Sequence, residues 1–302
     1  MMWIARSGFI LGSLFLAGCR ETGKSSSAAV IDTTVLAARE TRLEQTLGSR
    51  DSTKGPDEPI ARWILSGELS EISGLALTAD GRLLAHGDER GIVDQIDYRR
   101  GVVVKRFTLG KHGVRADFEG ITTVGDIVFM LASNGNIYEF REGAEGERVD
   151  YSIHDTQLGR ECEFEGIAYD PAIGSLLLAC KVVHLKHLHD HLVIYRWSLH
   201  DGGKDRITRI DGSLKDVLAA HDWKELHPSD ITIDPFTGNY ILISAQQKAL
   251  IWVKPDGQIL SAKDLPSGHD QAEGLAITRD SILIISDEAV KRPAVLTLYR
   301  WH

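Results

Sequence analysis

Apolar positions are spread unevenly along the 302-residue chain. Phe9 to Ala17 is an apolar run, with Arg6 before it. From Arg20 to about Pro59 the chain is rich in Ser, Thr, Ala and Glu and nearly free of aromatic residues. Such a stretch buries too little apolar area to fold alone. Within it, Val35, Leu36, Leu43 and Leu47 fall roughly on one side of a helical spacing, which predicts a short helix over Thr33 to Leu47. Residues 19–59 as a whole read as a flexible tether. Beyond residue 60 the pattern becomes short runs rich in Val, Ile and Tyr. Turn signals such as Ala79-Asp80-Gly81, Asp170-Pro171 and Pro255-Asp256-Gly257 separate them. Short β-branched and aromatic runs with such breaks predict strands.

The strand pattern repeats. Ser73-Gly74-Leu75-Ala76 returns as Glu119-Gly120-Ile121-Thr122, Glu165-Gly166-Ile167-Ala168, Ser229-Asp230-Ile231-Thr232 and Glu273-Gly274-Leu275-Ala276. Successive starts lie 46, 46, 64 and 44 residues apart. Each copy opens a series of strand-like runs; after Glu119 come Ile127 to Ala132, Asn136 to Phe140 and Arg148 to Ile153. About four strands per repeat of 40–50 residues is the signature of a propeller blade. The last repeat supplies three strands, and one extra strand, Ala61 to Leu69, precedes the first. Pairing them completes a fifth blade and removes the exposed edges. The expectation is therefore an all-β fold: a single β-propeller of five four-stranded blades over residues 60–302. Six blades is the alternative, because the long third repeat has room for a degenerate one. The preferred account of that excess is an insertion around His184–Asp190 and a short helix near Ser213–Ala220.

The first apolar run is too short to span a bilayer, which takes about 20 residues. With Arg6 ahead of it, it reads as a secretory signal over residues 1–18. It ends in Leu16-Ala17-Gly18-Cys19, which resembles the bacterial lipobox, so Cys19 is the expected site of lipidation. Acyl chains anchor because each buried methylene contributes about 0.8 kcal/mol. Arg20, where an Asp would retain a lipoprotein at the inner membrane, points to the outer membrane facing the periplasm.

The second half carries EFEGIAYDPAIGSLLLACK, HPSDITIDPFTGNYILISAQQKALIWVKPDGQIL and QAEGLAITRDSILIISDE. In order and spacing these segments resemble the SdiA-regulated family of exported bacterial propeller proteins, over essentially residues 65–300. The resemblance implies architecture and export; it names no reaction.

Charge sharpens the picture. Asp and Glu number 43 against 34 Lys and Arg, a formal net charge of −9, with no dense basic run. That argues against nucleic acid as a partner. In a propeller the first strand of each blade lines the central channel, so the aligned phrases place Ser73, Glu119, Glu165, Ser229 and Glu273 at one level. Two residues earlier, on the same strand face, stand Glu71, Asp117, Glu163, His227 and Gln271. Clustered carboxylates repel unless a cation compensates. One compensation is a divalent ion, and oxygen ligands suit Ca²⁺ or Mg²⁺. The other is an internal base, Lys181 or Arg90. The alternative is structural: each Glu caps backbone N–H groups and fixes blade packing. Second-strand ends, with Asp88, Lys181, Asp287 and Glu288, are expected at the same mouth.

Two further groups stand out. In HLKHLHDH, His187, His189 and His191 alternate, so three rings would share one face of a strand and hold a transition metal; a solvated hairpin tip is the plainer reading. Cys162 and Cys180 lie on neighbouring strands of one blade and are either a disulfide or a pair of thiols. No HExxH, GxSxG, P-loop or CxxC motif is present. The functional expectation is a lipid-anchored envelope module that binds a small polar ligand, a glycan or another envelope protein. The alternative is a metal-dependent hydrolase of phosphoesters or lactones, with Glu119, Glu165 and Glu273 on the metal and Asp117 or Glu163 as the base.

Overall fold

A computed structural model describes residues 33–48, 57–201 and 206–301. The segment read as a signal, Cys19 and most of the segment read as a tether lie outside the described residues. Strand β1 (Ala61–Ile64) comes first. Blade 1 follows as β2 (Ile72–Leu77), β3 (Leu83–Gly87), β4 (Ile92–Asp97) and β5 (Val102–Leu109). Blade 2 contains β6 (Phe118–Val124), β7 (Ile127–Ala132) and β8 (Asn136–Arg141); after the two-residue β9 (Arg148–Val149) it is completed by β10 (Tyr151–Asp155). Blade 3 is β11 (Cys162–Asp170), β12 (Ser175–Val183), β13 (His191–Ser198) and β14 (Ile207–Ser213). Blade 4 is β15 (Asp230–Ile233), β16 (Tyr240–Ser244), β17 (Ala249–Val253) and β18 (Ile259–Asp264). Blade 5 is β19 (Ala272–Ile277), β20 (Ile282–Asp287) and β21 (Val295–Arg300), with β1 as its fourth strand.

Five blades and closure by the N-terminal strand are thus as expected. Strand β1 pairs antiparallel with β21, from Ala61 opposite Leu298 to Ile64 opposite Val295. It is shorter than the sequence suggested, since Gly67–Leu69 turns into a 3₁₀ helix. Second strands such as β16 and β20 are buried along their whole length, because both faces of the sheet meet a neighbouring blade. Five apolar clusters fill the spaces between successive blades, one for each pair around the ring.

The third repeat takes its extra length much as anticipated, with a loop after β12 and a short helix over Lys215–His221. The alternating histidines do not share a strand face, however. Lys186–Leu188 is a 3₁₀ turn that buries Leu188, and His191 opens β13. The apolar anchor sets the backbone there, and period-two spacing counts only where a strand forms. Arg148 and Val149 also depart from expectation. They pair in parallel with Thr108 and Leu109 of blade 1, so the chain crosses between blades before β10 begins. Val149 is buried in the cluster around Phe107 and Phe140, which supplies the reason.

Helix α1 (Thr33–Gly48) forms where its spacing placed it, but it is docked rather than free. Leu43 is 1% exposed within the cluster between blades 5 and 1, and Leu47 packs beside it. Arg39 donates to the Arg100 carbonyl at 2.9 Å and lies over the Trp63 ring. Glu40 pairs with Arg100, and Arg300 donates to the Leu47 carbonyl at 3.2 Å. Cys162 and Cys180 are joined in a disulfide with Cα atoms 5.7 Å apart, tying β11 to β12.

Candidate functional site

The five inner strands β2, β6, β11, β15 and β19 converge on one axis, and the repeated phrase has a direct packing cause. A Cβ on Gly74 would lie 3.2 Å from the Gly120 Cα, and one on Gly120 would lie 2.9 Å from the Ile167 amide. One on Gly166 would lie 2.9 Å from the Asp230 Cα, and one on Gly274 3.3 Å from the Gly74 carbonyl carbon. Backbone meets backbone at these steps, so only glycine fits. The fourth blade has Asp230 instead. Its buried carboxyl accepts from the Ile231 amide at 2.8 Å and from the Leu275 amide of blade 5 at 2.8 Å. A side chain therefore bridges the one step of the ring that backbone contact does not make. Burial above all holds its carboxyl well above the usual range, against those two hydrogen bonds.

One residue before the ring stand Ser73, Glu119, Glu165, Ser229 and Glu273, at the mouth where the inner strands begin. Ser73, Glu165 and Ser229 are buried, and Glu119 and Glu273 partly so. Burial, then the charges of Glu165 and Asp117, push the Glu119 carboxyl from 4.5 up to about 9. Burial, then Glu165, push Glu273 up to about 7. Glu165 is raised by burial as well, with Lys181 opposing. Lys181, at the end of β12, forms an ion pair with Glu165. Burial works against its charge, but Glu165, Glu119 and Glu273 outweigh it and hold its pKa up. Of the two internal bases considered, Lys181 is the one that enters the cluster; Arg90 is exposed and bridges by its backbone to Arg115.

Among the described residues, none of the three glutamates accepts a backbone N–H. Glu165 bonds to Lys181, and Glu273 accepts from the Gln271 side chain at 2.5 Å. At this level the cap is made by a serine, the Ser229 hydroxyl accepting from the Ala245 amide at 3.1 Å. Capping is therefore not what repeats the Glu. Nor do the described residues include three His, Cys, Asp or Glu side chains already gathered as a metal-binding group, the histidine tract included.

Around the rim, Asp117 is exposed and accepts from the Ser133 hydroxyl at 2.6 Å. Glu71 is exposed, and Glu163 is partly buried close enough to raise Glu165. His227 lies 3.1 Å from the Lys181 carbonyl and 2.9 Å from Glu225. Asp88 and Glu288 are half-buried, and burial raises both carboxyls. Asp287 does not belong to this mouth. It is 3% exposed and turns into blade 5, where His269 meets it at 2.7 Å and meets Tyr299 at 2.8 Å. Its position at a strand end suggested exposure, but His269, brought in by the loop before β19, offers a buried partner.

The sequence profile of the SdiA-regulated family matches residues 60–288. No curated protein matches the chain in sequence. Among solved structures, glutaminyl cyclase of Myxococcus xanthus is similar at a TM-score of 0.54 and 10% identity, over 80% of this chain and 94% of that one. Virginiamycin B lyase of Staphylococcus aureus follows at 0.43 and 13%, over 78% and 69%. The PQQ-bound aldose sugar dehydrogenase of Streptomyces coelicolor stands at 0.46 and 11%, over 82% and 99%. At 10% identity the likeness to the glutaminyl cyclase is one of fold.

Proposed function

The chain belongs to the SdiA-regulated family, and on that premise we propose that it is a lipid-anchored binding module of the cell envelope. Its acidic mouth takes a small ligand through a cationic group, of which a Ca²⁺ or Mg²⁺ ion is the simplest form. The observation that carries this reading is an imbalance of charge. Glu119, Glu165 and Glu273 converge with raised pKa values and no backbone donors, and only Lys181 among the described cations bonds to them. Protons do the remaining neutralisation, and an incoming cation displaces them. Glu119 and Glu273 are the expected ligands, with the Ser73 and Ser229 hydroxyls beside them. Anchoring runs through Cys19 to the periplasmic face of the outer membrane. The Cys162–Cys180 disulfide accords with an oxidising compartment.

Thermal melts with Ca²⁺, Mg²⁺ and a polyamine, before and after chelation, test the reading. A ligand at 100 times its Kd stabilises by about 2.7 kcal/mol, which moves Tm by about 5–10 °C in a domain of this size. That shift is expected in the wild type and absent when Glu119→Gln and Glu165→Gln are combined. No shift with any of the three at millimolar concentration sinks the proposal. For the anchor, Cys19→Ala is expected to release the protein from membranes, and retention there contradicts it.

A further inference from the structure

The channel has a second mouth. Beyond the glycine ring, at the end where first and second strands turn into each other, lies a cavity of about 870 Å³. All five inner strands line it, and its lining starts past the ring at Leu75, Ile121, Ile167, Ile231 and Ala276. It takes no residue from the ring or the carboxylate level, so the two mouths are separate compartments. Its volume falls within the roughly 300–1,000 Å³ of small-molecule sites. The wall is mainly aliphatic, interrupted by threonines such as Thr123 and Thr232, and it contains no acid between the ring and the rim.

The rim differs in charge from the acidic mouth. Asp280 is paired with Arg99 at 2.7 Å and Asp80 with Arg82 at 2.8 Å. Arg279 is exposed beside them and makes no ion pair with any described residue. We propose that this second mouth binds a small amphiphilic anion, with its apolar body in the aliphatic channel and its acidic head at Arg279. An apolar wall excludes a fully charged solute, and a spare guanidinium at the entrance selects the sign of the head group. The site does not depend on the cation-binding reading, and either can fail without the other.

Anilinonaphthalene sulfonate, an aromatic body bearing one sulfonate, is the probe, titrated by fluorescence into the protein. One saturable site is expected in the wild type. Thr232→Trp and Thr123→Trp fill the channel from different walls and are expected to weaken binding at least about tenfold. Thr232→Trp is expected to keep its Tm, whereas Thr123→Trp also gives up the hydroxyl's bond to the Leu77 carbonyl at 2.9 Å and lowers it. Arg279→Glu, at an exposed position that leaves the fold intact, is expected to weaken it about three- to tenfold. Glu119→Gln, at the other mouth, is expected to leave it unchanged. Absence of saturable binding overturns the proposal, as does equal affinity in both tryptophan variants. Should those variants fail to fold, equal affinity in Arg279→Glu overturns it.

Discussion

Asp230 and the glycines it replaces show how much one position in a repeat can determine. Where neighbouring inner strands touch through backbone, a methyl group has no room. Gly120→Ala is expected to cost about 1–3 kcal/mol through overpacking, measured by denaturant unfolding. Asp230→Ala acts in the opposite way, leaving the Ile231 and Leu275 amides buried without a partner. A loss of about 1–3 kcal/mol is expected, and a change below half of that contradicts the bridging role. Glu119 gives a prediction in pH. Its folded pKa, about 9, lies above the ordinary 4.5, so the folded state holds the proton more tightly. Stability is then highest at or below about pH 4.5 as far as this group is concerned, and it is lost as pH rises toward 9. Glu273, pushed up to about 7, adds the same sign over the lower part of that window. Melting temperature is expected to fall less steeply between pH 5 and 9, values set by those shifts, in Glu119→Gln than in the wild type. Parallel curves contradict the assignment.

At the scale of elements, local pattern carried most of the architecture and lost track of long-range partners. The phrase repeat located every inner strand, because a channel-lining strand with a tight neighbour demands the same residues in each blade. Helix α1 was also legible as a helix, from Val35, Leu36, Leu43 and Leu47. Its docking was not, because the groove that receives Leu43 is assembled from residues as distant as Leu298. Leu43→Asp is expected to detach the helix, exposing Thr33–Gly48 to limited proteolysis while the propeller still resists it. Unchanged protection of the helix contradicts the packing. The pairing of β9 with blade 1 and the burial of Asp287 were not legible for the same reason: a buried partner elsewhere in the chain, Phe107 or His269, overrides what the local sequence suggests. At the mouth, the three glutamates and Lys181 were brought together as the spacing implied. Which of them would be paired depended on side-chain reach across β11 and β12, which spacing does not encode.

At the scale of the whole molecule, the ring is closed by four residues and one aromatic latch. Strand β1 completes blade 5, and Trp63 reaches across to blade 1, where its indole N–H donates to the Tyr98 carbonyl at 2.8 Å. Gly101, at a φ of +70°, lies against that ring, and a Cβ there would sit 2.3 Å from it. Trp63→Ala is expected to cost about 2 kcal/mol, less than the full range for a buried aromatic because the ring is partly exposed. With the ring closed, some of the chain's acidic excess is concentrated at one mouth, while the other mouth is aliphatic with a basic group spare at its rim. The central claim is that protons at the acidic mouth occupy the place of a cation. Proton release on adding Ca²⁺ to weakly buffered protein near neutral pH tests it most directly. Between about one and two protons per bound ion are expected, because burial and neighbouring carboxylates raise Glu119 to about 9 and Glu273 to about 7, and Glu119→Gln should cut the release by about one proton. Binding without proton release, or no binding at millimolar Ca²⁺, contradicts it.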